Sequence, residues 1–403
     1  MVALTSEPDF DVFHRNELPA LLAGGNGALA QDLAGRLGGL ALQVPDGRSY
    51  TYAASEAGVV VRPGSEDART VIEMDLQSWA NLVQDLETGP GLLYSQRGKV
   101  LRGDGMAFIA WESAWRAMYH GRPIFEPADQ ASAALRDRAG HPLDSFQTFS
   151  PDSDLADVAH FMKEAGFVLL RGVFSAEEVE EFWRASDWLK DQAREGDQQS
   201  WWGKSRSGES VLTRVLDGSG HAAFRGLEKE ERLTRILKAV EPGLVPNLDA
   251  GDFASVLYKN PDMVEGLSDL PWHRDCGMGG HAVMCPTINV SIYLSEANEA
   301  TGPLKVLPGS HRGSVPAIDA THEKAPSGIF VEGRPGDVSF HYGDVMHAAP
   351  PPKGEGPFRR SAVLTWKPAG ARPHTGQRHY NDVLLEGSED GQVAHLQQVL
   401  EDD

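Results

Sequence analysis

The chain reads as an α+β N-terminal domain followed by a mainly β, jelly-roll domain with flanking helices, on three observations. Its 403 residues exceed what one hydrophobic core usually organises. A meander of short strands broken by Gly, Pro and Asp comes early and is followed by two apolar stripes at helical spacing. From Asp252 onward short strands dominate, the pattern of a double-stranded β-helix or jelly roll.

Taken in order, residues 24–37 have a helical pattern, and Leu40 to Val44, Ser49 to Ala53, Gly58 to Arg62 and Thr70 to Met74 read as strands. Leu76, Trp79, Leu82, Val83 and Leu86 then recur at helical spacing, as do Phe108, Trp111, Trp115, Met118 and Tyr119. Residues 123–150 lack periodicity and read as a linker. Leu155, Val158, Ala159 and Met162 mark a further helix, Gly166 to Val173 a buried strand, and Ser175-Ala176-Glu177-Glu178 a capping box that opens the next helix. From Cys285 to Leu294 the residues alternate: Cys285, Thr287, Asn289, Ser291 and Tyr293 share one face. Small uncharged polar groups there suit a cramped wet pocket, and they suit cross-strand hydrogen bonding nearly as well.

Composition is ordinary for a folded protein, with 41% hydrophobic and 24% charged residues. A net charge of −21 argues against nucleic acid or an anionic membrane as partner. No stretch approaches the ~18 apolar residues of a membrane span, and residues 1–9 lack the basic and apolar regions of a signal peptide, so a cytoplasmic location is the expectation. The two cysteines, Cys276 and Cys285, are too few for a disulfide framework; Cys276 reads either as a pocket residue or as a small buried side chain.

His273 and Asp275 stand two apart on an expected strand, so their side chains leave one face and can grip a cation together. With His347 they make two histidines and one carboxylate, which occupy one half of an octahedral Fe(II) and leave positions for a keto acid and dioxygen. His-x-Asp alone is a weak signal, because chance matches are common.

The run Leu270-Pro271-Trp272-His273-Arg274-Asp275, the segment Gly302 to His311 and the later Gly343-Asp344-Val345-Met346-His347 resemble, in order and spacing, the phytanoyl-CoA dioxygenase family over roughly residues 154–370. That resemblance implies His273, Asp275 and His347 as iron ligands, 2-oxoglutarate as cosubstrate, and hydroxylation with dioxygen. Asp275 separates the chain from the related halogenases, which have a small residue there. Arg359 and Ser361 share a face and are expected to hold the distal carboxylate of 2-oxoglutarate; Arg360 is the alternative anchor, one position out of register. Ser291 lies where the family contacts 2-oxoglutarate, with Asn289 one step away on its face. The resemblance places the distal ligand at His347 rather than His341 and gives His311 a place in a structural turn, while His374 and His379 belong to a basic, glycine-containing tail.

Earlier, Val59-Val60-Val61-Arg62-Pro63-Gly64, then Thr70 to Met74, then Gly98 to Asp104 resemble the sterol carrier protein 2 family over about residues 25–122, which implies an apolar tunnel for lipids. The same stripe reads equally as packed core. The division expected is a sterol carrier-like domain at 1–122, a linker at 123–150 and an oxygenase domain at 151–403. The function expected is hydroxylation of an unactivated C–H bond in a hydrophobic small molecule captured or delivered by the N-terminal domain. Trp272, Met278, Trp201, Trp202 and Tyr258 are candidates to accept it, with Lys259, Lys204 and Arg206 for an anionic head group. Two rivals stand beside this: a non-catalytic lipid carrier or sensor, and an oxygenase whose N-terminal domain serves dimerisation or docking. Oligomeric state is left open.

Overall fold

The computed structural model describes residues 8–56, 58–125, 134–248, 253–260, 262–265, 270–277, 286–318, 325–353 and 359–371. Cys285, Met278, His374 and His379 lie outside the described residues. A run of short helical turns over residues 10–26 leads into α1 (Gly27–Leu37), so helical structure begins well before residue 24. Pro19 and Gly24-Gly25 hide it from the pattern. Pro19 occupies the first turn of a helical segment, where a missing N–H costs little, and Gly25 takes φ +113° at a kink.

The N-terminal strands are β1 (Leu40–Gln43), β2 (Ser49–Ser55), β3 (Gly58–Pro63), β4 (Thr70–Met74) and β5 (Gly98–Arg102). They form one sheet in the order β3-β2-β1-β4-β5, with β1 and β4 parallel and the other pairs antiparallel. Three helices follow the meander: α2 (Leu76–Val83), α3 (Gly89–Tyr94) and α4 (Gly105–His120), capped by Asp75, Thr88 and Asp104. Every residue of the two stripes is buried except Leu76, which lies exposed in the first turn of α2. Their rings pack on one another and on Phe10 and Phe13, with Trp79 centroids 5.0 and 5.5 Å from those two phenylalanines.

His14 is sealed in this core, with Nδ1 2.6 Å from the Phe10 carbonyl and Nε2 2.6 Å from the Tyr52 hydroxyl. Burial disfavours the imidazolium and pushes its pKa from 6.5 down to about 4. Because the folded value lies below the unfolded one, the unfolded chain takes up the extra proton as pH falls from 6.5 towards 4, and stability is lost across that window. The loss amounts to about 3 kcal/mol. Urea midpoints measured at pH 7 and pH 4.5 should therefore converge when His14→Gln is compared with wild type.

The chain continues with α5 (Leu155–Ala165), β6 (Phe167–Leu170) and α6 (Ala176–Gln192). The capping box at Ser175 and Glu178 forms as the sequence suggests. There follow β7 (Ser200–Ser205), β8 (Ser210–Val215), α7 (Glu231–Val240), β9 (Leu244–Pro246), β10 (Ser255–Lys259), β11 (Met263–Glu265), β12 (Leu270–His273), β13 (Ile288–Tyr293), β14 (Leu304–Val306), β15 (Ile329–Val331), β16 (Val338–Tyr342), β17 (His347–Ala349) and β18 (Arg359–Pro368). A large sheet runs β11-β7-β8-β10-β18-β13-β16-β6, with β9 beside β18, and a small one runs β12-β17-β14-β15. All their pairings are antiparallel, as a jelly roll requires.

Alternation along the central strands separates two faces. Ile288, Val290, Ile292, Val338, Phe340, Ala362 and Leu364 join one core with Phe161, Phe182 and Ile236 from the covering helices. The opposite face carries Asn289, Ser291, Ser339, His341, Arg359, Ser361 and Thr365 in mutual register. The expected linker is docked in its described parts: Phe125 donates to the Ser314 carbonyl at 2.7 Å and Phe149 to that of Leu169 at 2.9 Å. Among the described residues no helix is long and apolar enough to cross a membrane.

Candidate metal centre

The small sheet brings His273 and His347 together, because β12 pairs with β17 with these two residues directly opposite. β12 ends at His273, so Asp275 lies just beyond the strand rather than on it, and a register shift precedes His273. What aims Asp275 is its own N–H, donated to the Gly343 carbonyl at 2.8 Å. That approach depends on glycine: a Cβ at Gly343 would stand 2.7 Å from the Cys276 sulfur. Cys276 is fully buried there.

Ligand atoms of His273, Asp275 and His347 all lie within 4.8 Å of one another. His273 Nε2 is 3.5 Å from Asp275 Oδ1, and His347 Nε2 is 3.4 Å from Oδ2. Each imidazole has Nδ1 on a backbone carbonyl, Pro271 at 2.7 Å and Val345 at 2.9 Å. A carbonyl only accepts, so both Nδ1 atoms carry the proton and both Nε2 lone pairs face the cluster, as metal-binding histidines require. The residues present fit a dication.

Asn289 donates to Asp275 Oδ2 at 2.5 Å and is itself oriented by the Thr365 hydroxyl at 2.7 Å. Its hydrogen bond thus goes to the Asp275 carboxylate. His341, set aside on sequence, stands on the same inner face opposite Asn289. Its Nε2 is 3.7 Å from Asp275 Oδ2, and neither ring nitrogen has a hydrogen bond among the described residues.

β18 sends its two arginines in opposite directions. Arg360 turns to the helical side, where it pairs with Asp187 at 2.5 Å, donates to Ser186 at 3.0 Å and lies 4.0 Å over the Trp183 ring. Arg359 turns inward beside Ser361 and is buried with no carboxylate partner among the described residues and an unbonded Nε. Burial pulls its pKa below the ordinary value. A guanidinium in that setting lacks an anion, and the carboxylate of a keto acid would fit it. Ser291 lies on this inner face, opposite Ser339 and Val363.

The proposed substrate-accepting residues divide. Tyr258 belongs to the helical side, its hydroxyl donating to the Ser186 carbonyl at 2.6 Å. Trp272 alternates with His273, so it leaves the small sheet on the side away from the cluster, packed with Leu307, Val315 and Met346 and under the Lys305 ammonium at 5.4 Å. Neither lines the inner space. Trp201 is buried with the Arg214 guanidinium over its ring at 4.9 Å, Trp202 is half-buried against the core, and Lys204 is half-buried while Arg206 is exposed. Lys259 is buried opposite Arg359 and donates to the Ala349 carbonyl at 2.6 Å. His311 donates to the Lys163 carbonyl at 2.9 Å and stacks on Tyr342, a structural place.

The family model for phytanoyl-CoA dioxygenase (PhyH) matches residues 162–361. No curated protein matches the chain. Similar solved structures include the non-heme alpha ketoglutarate dependent epimerase SnoN from nogalamycin biosynthesis, at 20% identity over 58% of this chain and 88% of its own with TM-score 0.44. AviO1 from Streptomyces viridochromogenes Tue57 is 22% identical over 55% of this chain and 98% of its own, with TM-score 0.43. The carbocyclase SnoK, also from nogalamycin biosynthesis, is 19% identical over 58% and 91%, with TM-score 0.43. Residues 162–361, which carry the whole histidine and aspartate cluster and Arg359, are similar to the phytanoyl-CoA dioxygenase family of oxygenases, and iron and 2-oxoglutarate are the cofactors that this likeness supports.

Proposed function

We propose that the chain is an Fe(II) and 2-oxoglutarate dependent dioxygenase that hydroxylates an unactivated C–H bond of a hydrophobic small molecule. The observation that carries this reading is the convergence of His273, Asp275 and His347 with both Nε2 lone pairs inward, joined through Asn289 to the inner face of the large sheet, which also carries a buried, anion-seeking Arg359. In it the three side chains hold the metal, Asn289 fixes Asp275 through Oδ2, and Arg359 with Ser361 and Ser291 receives 2-oxoglutarate. Bound iron supplies the oxidising power, drawing on dioxygen and on the two electrons released as 2-oxoglutarate is decarboxylated. The protein's share is orientation and exclusion of bulk water around that chemistry.

An aspartate among the ligands favours hydroxylation over halogenation, and the metal-binding cluster favours an enzyme over a lipid carrier. The N-terminal aromatic stripe packs on itself, which favours a filled core over a lipid tunnel and leaves the oxidation to the jelly roll. The test is succinate release from 2-oxoglutarate by the full chain with Fe(II) and dioxygen, wild type against His273→Ala. Release that depends on His273 is expected; equal release by both proteins would remove the assigned ligand.

A further inference from the structure

The N-terminal domain touches the segment that carries Asp275. Gly277, two residues past that carboxylate, has its carbonyl held twice by Thr88, from the N–H at 2.9 Å and from Oγ1 at 3.1 Å. Thr88 is the residue that caps α3, so the helix start and the metal segment share one anchor. Gly91 in the same helix lies so close that a Cβ there would stand 2.9 Å from the Gly277 oxygen. On the other side of Asp275, Arg274 is buried and donates to the Gly313 carbonyl at 3.2 Å, while Ser113 of α4 donates to the Val315 carbonyl at 2.6 Å.

Between these anchors runs a buried layer of charge. Arg116 of α4 is paired with Asp85 at 2.8 Å and Glu112 at 2.6 Å, and Glu112 also accepts the Gly89 N–H at 2.8 Å. Arg116, Asp85, Glu112 and Asp344 all act electrostatically on Arg274. Two guanidiniums buried near one another are tolerated only when carboxylates are placed between them, so this layer defines one seating of the two domains rather than adding much stability. Asp344 precedes His347 by one turn of chain, and the layer therefore reaches both ligand-bearing segments.

We infer that the N-terminal domain is a working part of the metal centre, with Thr88 and Arg116 as positioning residues that fix the segment from His273 to Gly277 and so set its affinity for the metal. The inference rests on the proposed metal site. It makes the N-terminal domain a fixed support of the oxygenase, where a shuttle delivering substrate would need to leave the barrel.

The test is Co(II) titration of the full chain freed of metal, alongside its melting temperature. Thr88→Val removes the hydroxyl but keeps the shape, and should weaken Co(II) binding by about 10- to 100-fold, the range for groups that orient metal ligands. Thr88→Ser keeps both bonds and should bind as wild type does; Gly91→Ala pushes on the Gly277 carbonyl and should weaken binding with Thr88 intact. Folded Thr88→Val and Gly91→Ala proteins that bind Co(II) as wild type does would overturn the inference, whatever their melting temperatures. Should His273→Ala also bind Co(II) unchanged, the metal site itself would fall and this inference with it.

Discussion

Replacing His347 by alanine should lower metal affinity by more than about 100-fold, because removing a ligand exceeds the 10- to 100-fold cost of removing a group that merely orients one. His347 supplies one of two inward Nε2 atoms, 3.4 Å from Asp275 Oδ2. Among the described residues the side chain makes a single hydrogen bond, to the Val345 carbonyl two residues away, so the strand pairing of β17 with β12 and β14 should survive. Metal content after reconstitution and equilibrium Co(II) binding check this, with circular dichroism reporting the fold. His341→Ala is the matched control: its ring lies 4.8 Å from that of His347 but outside the cluster of three, and this variant should keep its metal.

Arg359→Ala should raise the 2-oxoglutarate dissociation constant by about 10- to 150-fold, the loss of one charge-assisted hydrogen-bonded pair of about 1.5–3 kcal/mol. Arg360→Ala should leave that constant near the wild-type value and lower the melting temperature, since Arg360 bonds Asp187 and Ser186 on the helical side. Asp187 is half exposed, so solvent discounts that loss to about 1 kcal/mol. Calorimetric titration of 2-oxoglutarate into the metal-loaded variants separates the two residues. The opposite pattern would shift the anchor by one residue and contradict the alternation of β18.

These residues differ in how far their sequence betrays them. His273, Asp275 and His347 could be picked out by the order and spacing of the motifs around them, and the two-residue step between the first pair brings those two together. The step works here through a turn held by Gly343, which no local pattern announces. Period-two alternation decides between Arg359 and Arg360 once the helical face is known, since Arg360 shares that face with Tyr258. The same alternation argues against Trp272 as a pocket residue, because it adjoins an inward His273 in the strand.

Other features depend on contacts remote in sequence. Asn289 and Asp275 meet across the barrel, so a polar strand face says that a pocket exists but not which group each amide will hold. Thr88 and Gly277 are 189 residues apart, and nothing local to either predicts the bond. Nor does His341 declare itself beside the metal ligands until β13 and β16 are placed in register.

The most direct measurement is an oxygen-free titration of the full chain with Fe(II) in the presence of 2-oxoglutarate, read by bound metal per chain. Saturation at one iron per chain in the wild type, with loss of that binding in both His273→Ala and His347→Ala, is the result expected. Iron binding that persists unchanged in the two variants, or a wild type that binds none, would contradict it.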